Sequence, residues 1–209
     1  MVSVSHPNCL RLLGVCLSGT RRCLVSEYIA NGSLDCYLRR HKVNTKSAAF
    51  IEPICLCSDL ATRNVLVKRQ DLVQITDFGL AKMLSGDEEH VPIRWLAVET
   101  LTSGRYSFKT DVWAYGVTLW ELFTFGERPY ANIDTADVKR YVLEGGRLMQ
   151  PDICTLDAYQ LLLLSCWREN PEARSSFIEL LHLLQSRVGN PEFFLHDRVS
   201  HLLCARCIL

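Results

Sequence analysis

Three residues carrying hard oxygen atoms stand close together in the sequence: Asp59, Asn64 and Asp77. Carboxylate and amide oxygens of this kind suit a magnesium ion. Asp59 opens the run Asp59-Leu60-Ala61-Thr62-Arg63-Asn64, and Asp77 opens Asp77-Phe78-Gly79. Between the two runs lie Val65-Leu66-Val67 and Leu72-Val73-Gln74-Ile75, split by the polar residues 68–71. Apolar, β-branched runs around a polar turn predict a small hairpin. Strand, turn and strand return the chain to the edge it left, so the hairpin predicts that Asn64 and Asp77 end side by side.

The elements that must hold this edge lie downstream. From residue 107 to about 188 the pattern is helical. Residues 112–123 are apolar on nearly every face, which predicts a helix buried on all sides, with Thr110 or Asp111 as its cap. Thr135 or Asp134 opens a second helix that ends at Gly145-Gly146, and Thr155 a third that runs to Trp167. Ser176 with Glu179 forms a capping box for a fourth, stopped by Gly189 and Pro191. Residues 42–57 yield no element, because 42–50 are mostly polar or small and Pro53 interrupts any helix across them.

Composition narrows the class. With 48% hydrophobic and 22% charged residues, the 209-residue chain is too apolar for disorder throughout. Lysine plus arginine and aspartate plus glutamate both total 23, so no overall field draws the chain to nucleic acid. Ten cysteines fall below the density of a disulfide-stapled scaffold and fit a reducing compartment. No apolar stretch approaches the roughly 18 residues of a membrane span, no secretory signal opens the chain, and Arg206 stands where a prenylation box needs cysteine. The tail holds His196, His201, Cys204 and Cys207. These are zinc-type ligands, but all four sit within twelve residues, whereas zinc frameworks separate their ligand pairs by about a dozen or more. A frayed terminus is the competing reading.

The two runs around the hairpin resemble the catalytic loop and the metal-binding motif of protein kinases. Other segments fall in kinase order: His6-Pro7-Asn8, Arg11-Leu12-Leu13-Gly14, Leu24-Val25-Ser26-Glu27-Tyr28, Val91-Pro92-Ile93-Arg94-Trp95, Asp111-Val112-Trp113 and Cys166-Trp167. Arg63 beside Asn64 and residues 92–95 resemble tyrosine kinases rather than serine/threonine kinases. Asn64-Val65-Leu66-Val67-Lys68, Ile75-Thr76-Asp77-Phe78-Gly79-Leu80-Ala81-Lys82 and Gln150-Pro151-Asp152-Ile153-Cys154-Thr155 are most similar to the epidermal-growth-factor-receptor (ErbB-like) receptor tyrosine kinases. The resemblance covers roughly residues 6–197.

The resemblance implies an α+β, protein-kinase-like fold, mainly the helical C-lobe with a remnant of the N-lobe and hinge. Residues 1–32 would be that remnant, with the end of the family's helix C, its fourth and fifth strands and the hinge. Residues 33–188 would be the C-lobe with most of the family's helix E missing, and 189–209 a tail. Asp59 would be the catalytic base and Arg63 would lie near the acceptor phenol, while Asn64 and Asp77 would bind magnesium. Ser26 would be the gatekeeper of the adenine pocket, Glu27, Tyr28 and Ile29 would offer backbone hydrogen bonds to the base, and Leu66 would face the nucleotide. Asp111 would hold the catalytic loop from the core helix, and Glu99 would pair with Arg174 beneath the substrate-binding segment. The implied cofactors are ATP and magnesium, and the implied partners a protein tyrosine substrate and a second kinase domain near residues 138–141 and 152–159. The implied place is the cytoplasm, or the cytoplasmic face of the plasma membrane within a full receptor.

The sequence also departs from the family. None of its eleven glycines forms G-x-G-x-x-G, and its first lysine is Lys42, beyond the hinge. The helix glutamate that pairs with the family's strand lysine is likewise missing. Cys57-Ser58 stands where the family has histidine and arginine. Three readings follow: a receptor-type tyrosine kinase whose 209 residues are inactive alone, a pseudokinase-like binding module, and a truncated product without function.

Overall fold

The computed structural model describes residues 6–18, 21–41, 59–69, 71–77, 92–187 and 189–196. The expectations for residues 42–57, for most of the segment after Asp77, and for His201, Cys204 and Cys207 lie outside the described residues. Strands β1 (Leu12–Ser18) and β2 (Arg21–Ser26) form one antiparallel ribbon, and β3 (Val65–Arg69) and β4 (Leu72–Ile75) form another. Helices α1 (Leu34–Arg40), α2 (Val98–Ser103), α3 (Phe108–Phe123), α4 (Thr135–Leu143), α5 (Leu156–Ala158) and α6 (Phe177–Arg187) supply the helical part. This mixture of helices with small antiparallel sheets is the α+β class that the sequence predicts.

The predicted hairpin is β3–β4. Val65 pairs with Ile75 and Val67 with Val73, and these four side chains are buried. Its outer edges are both occupied. The amides of Ile75 and Leu10 bond the carbonyls of Asn8 and Ile75 at 2.6 and 2.9 Å, and Val67 N–H donates to Gly32 O at 3.0 Å. Both edges of the ribbon that delivers Asn64 and Asp77 are therefore fixed by neighbouring backbone.

Helix α3 is the axis of the core, with Val112, Trp113, Tyr115, Val117, Leu119, Leu122 and Phe123 all buried. It starts four residues before the predicted 112. Ser107 caps it rather than Thr110 or Asp111, because Ser107 Oγ accepts from Lys109 N at 3.2 Å while Thr110 Oγ1 accepts from Ser107 N at 2.9 Å. That reciprocal pair satisfies donors at the helix start. Gly116 lets α3 approach the segment after α5: a Cβ there would stand 2.7 Å from Cys166 Cβ and 2.7 Å from Trp167 Nε1.

Thr155 opens α5 as expected, its Oγ1 accepting from Ala158 N at 3.2 Å. The helix then continues with π-type hydrogen bonding over Tyr159–Leu164. Thr155 also donates to Phe193 O, and its N–H bonds Phe194 O at 3.1 Å. Residues 193–195, grouped with the tail in the sequence, are buried against the core. Ser176 and Glu179 form the predicted box: Glu179 N donates to Ser176 Oγ at 3.2 Å and Ser176 N to Glu179 Oε2 at 2.7 Å.

Candidate active site

A single 3-10 turn, Thr62–Asn64, turns the chain back on Asp59 just before β3 begins. Asn64 N donates to Ala61 O at 2.9 Å, which closes the turn. Asn64 Nδ2 then donates to Asp59 O at 2.8 Å and to Asp59 Oδ2 at 3.0 Å. Arg63 donates from the other side, to Asp59 Oδ1 at 2.6 Å. Asp59 and Asn64 are both buried, and the Asp59 side chain is 5% exposed against 36% for Arg63. One carboxylate is thus oriented on both of its oxygens by residues four and five positions along.

Asn64 uses both of its side-chain N–H groups on Asp59, which leaves Oδ1 as its remaining coordinating atom. On the paired strand, Thr76 N donates to Asn64 O at 2.8 Å, so Asp77 leaves the hairpin one residue from that bond. Asp77 is exposed and adopts φ +54°, a left-handed conformation that aspartate tolerates better than most residues. The hairpin brings Asn64 and Asp77 to one edge, with Asp59 in direct contact with Asn64. An amide oxygen and a carboxylate at that edge are a hard donor set that fits a magnesium ion.

The loop is held from below by one face of α3. Thr118 Oγ1 donates to Leu60 O at 3.3 Å. One turn later Glu121 accepts three hydrogen bonds: Thr62 N at 3.1 Å, Thr62 Oγ1 at 2.7 Å and Trp95 Nε1 at 3.0 Å. Arg63 in turn lies 4.2 Å over the Trp95 ring. Glu121 therefore ties the loop bearing Asp59 to the segment at 92–96, a role not found from the sequence. The available signal was a carboxylate, Trp120-Glu121-Leu122, inside a run otherwise apolar on every face.

Burial holds the Glu121 carboxyl above its usual range, against the lowering effect of its hydrogen bonds from Thr62 and Trp95. A carboxyl whose folded pKa is raised contributes stability that is complete below its unfolded pKa. That contribution is lost as pH rises through the raised value. Glu121→Gln cannot ionise, so urea midpoints measured across this range are expected to lose that pH dependence. Glu121→Ala orphans three donors and is expected to cost about 2–4 kcal/mol, more than the glutamine variant.

Asp111, on the same helix, is buried and lines a small cleft together with Asp59, Pro92, Trp95, Leu96 and Tyr106. Arg94 anchors the wall of that cleft by donating to the carbonyls of Pro129, Tyr130 and Ile133 and to Thr135 Oγ1 at 2.5–2.9 Å. Its burial lowers its pKa from the usual arginine value. Behind this wall Arg174 meets Glu99 through two 2.7 Å bonds, Nη1 to Oε1 and Nη2 to Oε2. The Arg174 side chain is 0% exposed and also donates to the carbonyls of Arg168, Lys109 and Glu169.

Of the residues expected at the nucleotide, Leu66 lies on β3 and Glu27 is tied to that strand. Ser33 bridges Leu66, and Lys68 Nζ reaches Glu27 Oε2 at 2.7 Å, which holds the Glu27 carboxyl below its usual range. Ile29 is buried, Leu66 half-buried, and Tyr28 89% exposed. Ser26 ends β2 and is exposed. The Glu27 amide donates to Arg11 O at 3.3 Å, so this N–H is already engaged within the protein.

In the tail, His196 is exposed, and its N–H bonds Ile153 O at 3.1 Å. No cluster of three or more His, Cys, Asp or Glu able to hold a metal occurs among the described residues. No helix among them is long and apolar enough to cross a membrane.

A family model for protein tyrosine and serine/threonine kinases matches residues 1–58 and 52–184. The chain is 39% identical to mouse receptor tyrosine-protein kinase erbB-4 over 93% of its length, and 38% identical to rat receptor tyrosine-protein kinase erbB-2 over 93%. It is 41% identical to the epidermal growth factor receptor of Apis mellifera over 86% of its length. The chain spans only 16%, 17% and 15% of those relatives. On the motifs, on the hairpin that joins them and on these matches, the chain belongs to the protein tyrosine kinase family and is related to the ErbB-type receptor kinases.

Proposed function

We propose that the edge formed by Asp59, Asn64 and Asp77 is the phosphotransfer site of a receptor-type protein tyrosine kinase. The family uses ATP and magnesium. Magnesium, when bound, neutralises charge on the phosphates. In this chain Asn64 Oδ1 and the Asp77 carboxylate would hold the metal. Asp59 would accept the proton of the tyrosyl hydroxyl, and Arg63, held between Asp59 and Trp95, would border the acceptor ring. Pro92, Trp95 and Leu96, which line a small cleft with Asp59, would border that ring. Residues 27–29 and Leu66 would border the adenine, and Glu99 with Arg174 would support the substrate wall from behind. The observation that carries this reading is the orientation of both Asp59 oxygens by Arg63 and Asn64.

These 209 residues contain no G-x-G-x-x-G and no lysine before Lys42, so they lack the groups that grip and cover the phosphates. The chain alone is therefore inactive under this reading. The test is transfer to a tyrosine polymer with magnesium and ATP, by the chain alone and by the chain joined behind a kinase small lobe. Transfer only by the joined protein supports the reading. Neither transfer nor magnesium-dependent ATP binding by the joined protein would favour the binding-module alternative.

A further inference from the structure

The six described cysteines differ sharply in exposure. Cys9, Cys154 and Cys166 are buried, Cys36 is half-buried, and Cys16 and Cys23 are exposed. Burial pushes the Cys154 and Cys166 thiols up to about 12, so neither presents much thiolate. The two exposed cysteines are directly opposed on one rung of the β1–β2 ribbon. Opposed residues in an antiparallel pair share a face and bring their Cβ atoms within about 4.5–5.5 Å. A disulfide needs about 3.5–4.5 Å between Cβ atoms, a small closing movement. The same face stays open beside them, because Gly14 has no side chain and a Cβ built there would meet nothing within 4 Å.

The ribbon also has reason to be stapled. Leu12, Leu13, Val15, Leu17, Leu24 and Val25 are all exposed. A two-stranded ribbon that exposes this many apolar side chains is marginal in water.

We propose that Cys16 and Cys23 are a reversible cross-strand dithiol–disulfide couple, oxidised by a low-molecular-weight disulfide of the glutathione class. One cysteine, as thiolate, attacks a sulfur of the small disulfide, whose S–S bond breaks to release one small thiol and leave a mixed disulfide. The second thiolate attacks the protein sulfur of that mixed disulfide, forming the Cys16–Cys23 bond and expelling the second small thiol. Both thiol protons end on the two released thiols, and two electrons pass from the protein to the small disulfide. The bond closes a short loop, so the open ribbon loses entropy and the paired one persists.

The test treats the reduced 209-residue chain with oxidised glutathione and maps its peptides by mass spectrometry without reduction. The expected product is a Cys16–Cys23 linked peptide, lighter by two hydrogens and reversed by dithiothreitol. Cys16→Ser and Cys23→Ser are each expected to retain a glutathione adduct on the remaining cysteine. Amide exchange in β1 and β2 is expected to slow by about tenfold or more on oxidation. Glutathione adducts on both positions of the wild type would overturn the proposal. So would linkage of either cysteine to another residue or another chain, or exchange that oxidation leaves unchanged. None of these readouts depends on phosphate transfer.

Discussion

In the chain joined behind a kinase small lobe, Asp59→Asn is expected to lower kcat for tyrosine transfer by about 10²–10⁴, the range for loss of a general base. KM for the peptide is expected to change little. The asparagine keeps the size and one acceptor oxygen of the side chain that Arg63 and Asn64 orient, but it cannot take up the phenol proton. Arg63 loses a charged partner while 36% of its side chain stays in water, so the loop survives. Steady-state kinetics separate kcat from KM, and an unchanged thermal midpoint excludes a folding defect. An equal loss in kcat and in stability would instead assign Asp59 a structural role.

Glu99→Ala is expected to cost about 3–5 kcal/mol, because it strips the carboxylate from an arginine whose side chain has no solvent access. That is a large share of the roughly 5–15 kcal/mol that holds a domain together. Arg174 keeps its three carbonyl acceptors and its place 5.0 Å from the Trp113 ring, which pulls the figure toward the lower end. Urea denaturation measures the loss. Replacing both partners, Glu99→Ala with Arg174→Met, is expected to recover part of it, since no charge is then left buried and unpaired. A double variant as unstable as the sum of its singles would show that the pair itself contributes no coupling.

The β3–β4 hairpin was legible because two short β-branched runs flank a polar turn, and the side chains of Val65, Val67, Val73 and Ile75 from those runs are the ones the fold buries. Helix α3 was legible for the opposite reason, its lack of any polar face. Its start was misplaced because three residues within five, Ser107, Thr110 and Asp111, can all cap a helix, and the choice depends on backbone conformation. The carboxylates show the limit of spacing arguments. Asp59 and Asn64 are five apart and meet through one local turn, so sequence reaches them. Glu121 lies 59 residues from Thr62, and its role exists only after α3 packs against the loop. The Glu99 and Arg174 pair, 75 residues apart, was reached by family resemblance, since neither residue carries a local signal. The π-type stretch at Tyr159–Leu164 was not legible, because a one-residue widening of a helix barely changes an apolar run of four leucines.

Manganese added with ATP tests by paramagnetic broadening whether the hairpin edge holds a divalent cation. Amide signals of residues 64, 76 and 77 and the Asn64 side-chain amide are expected to broaden first, Asp77→Ala to remove the effect, and signals around Arg174 to stay sharp. Broadening centred elsewhere, or unchanged by Asp77→Ala, would rule out a cation held at that edge.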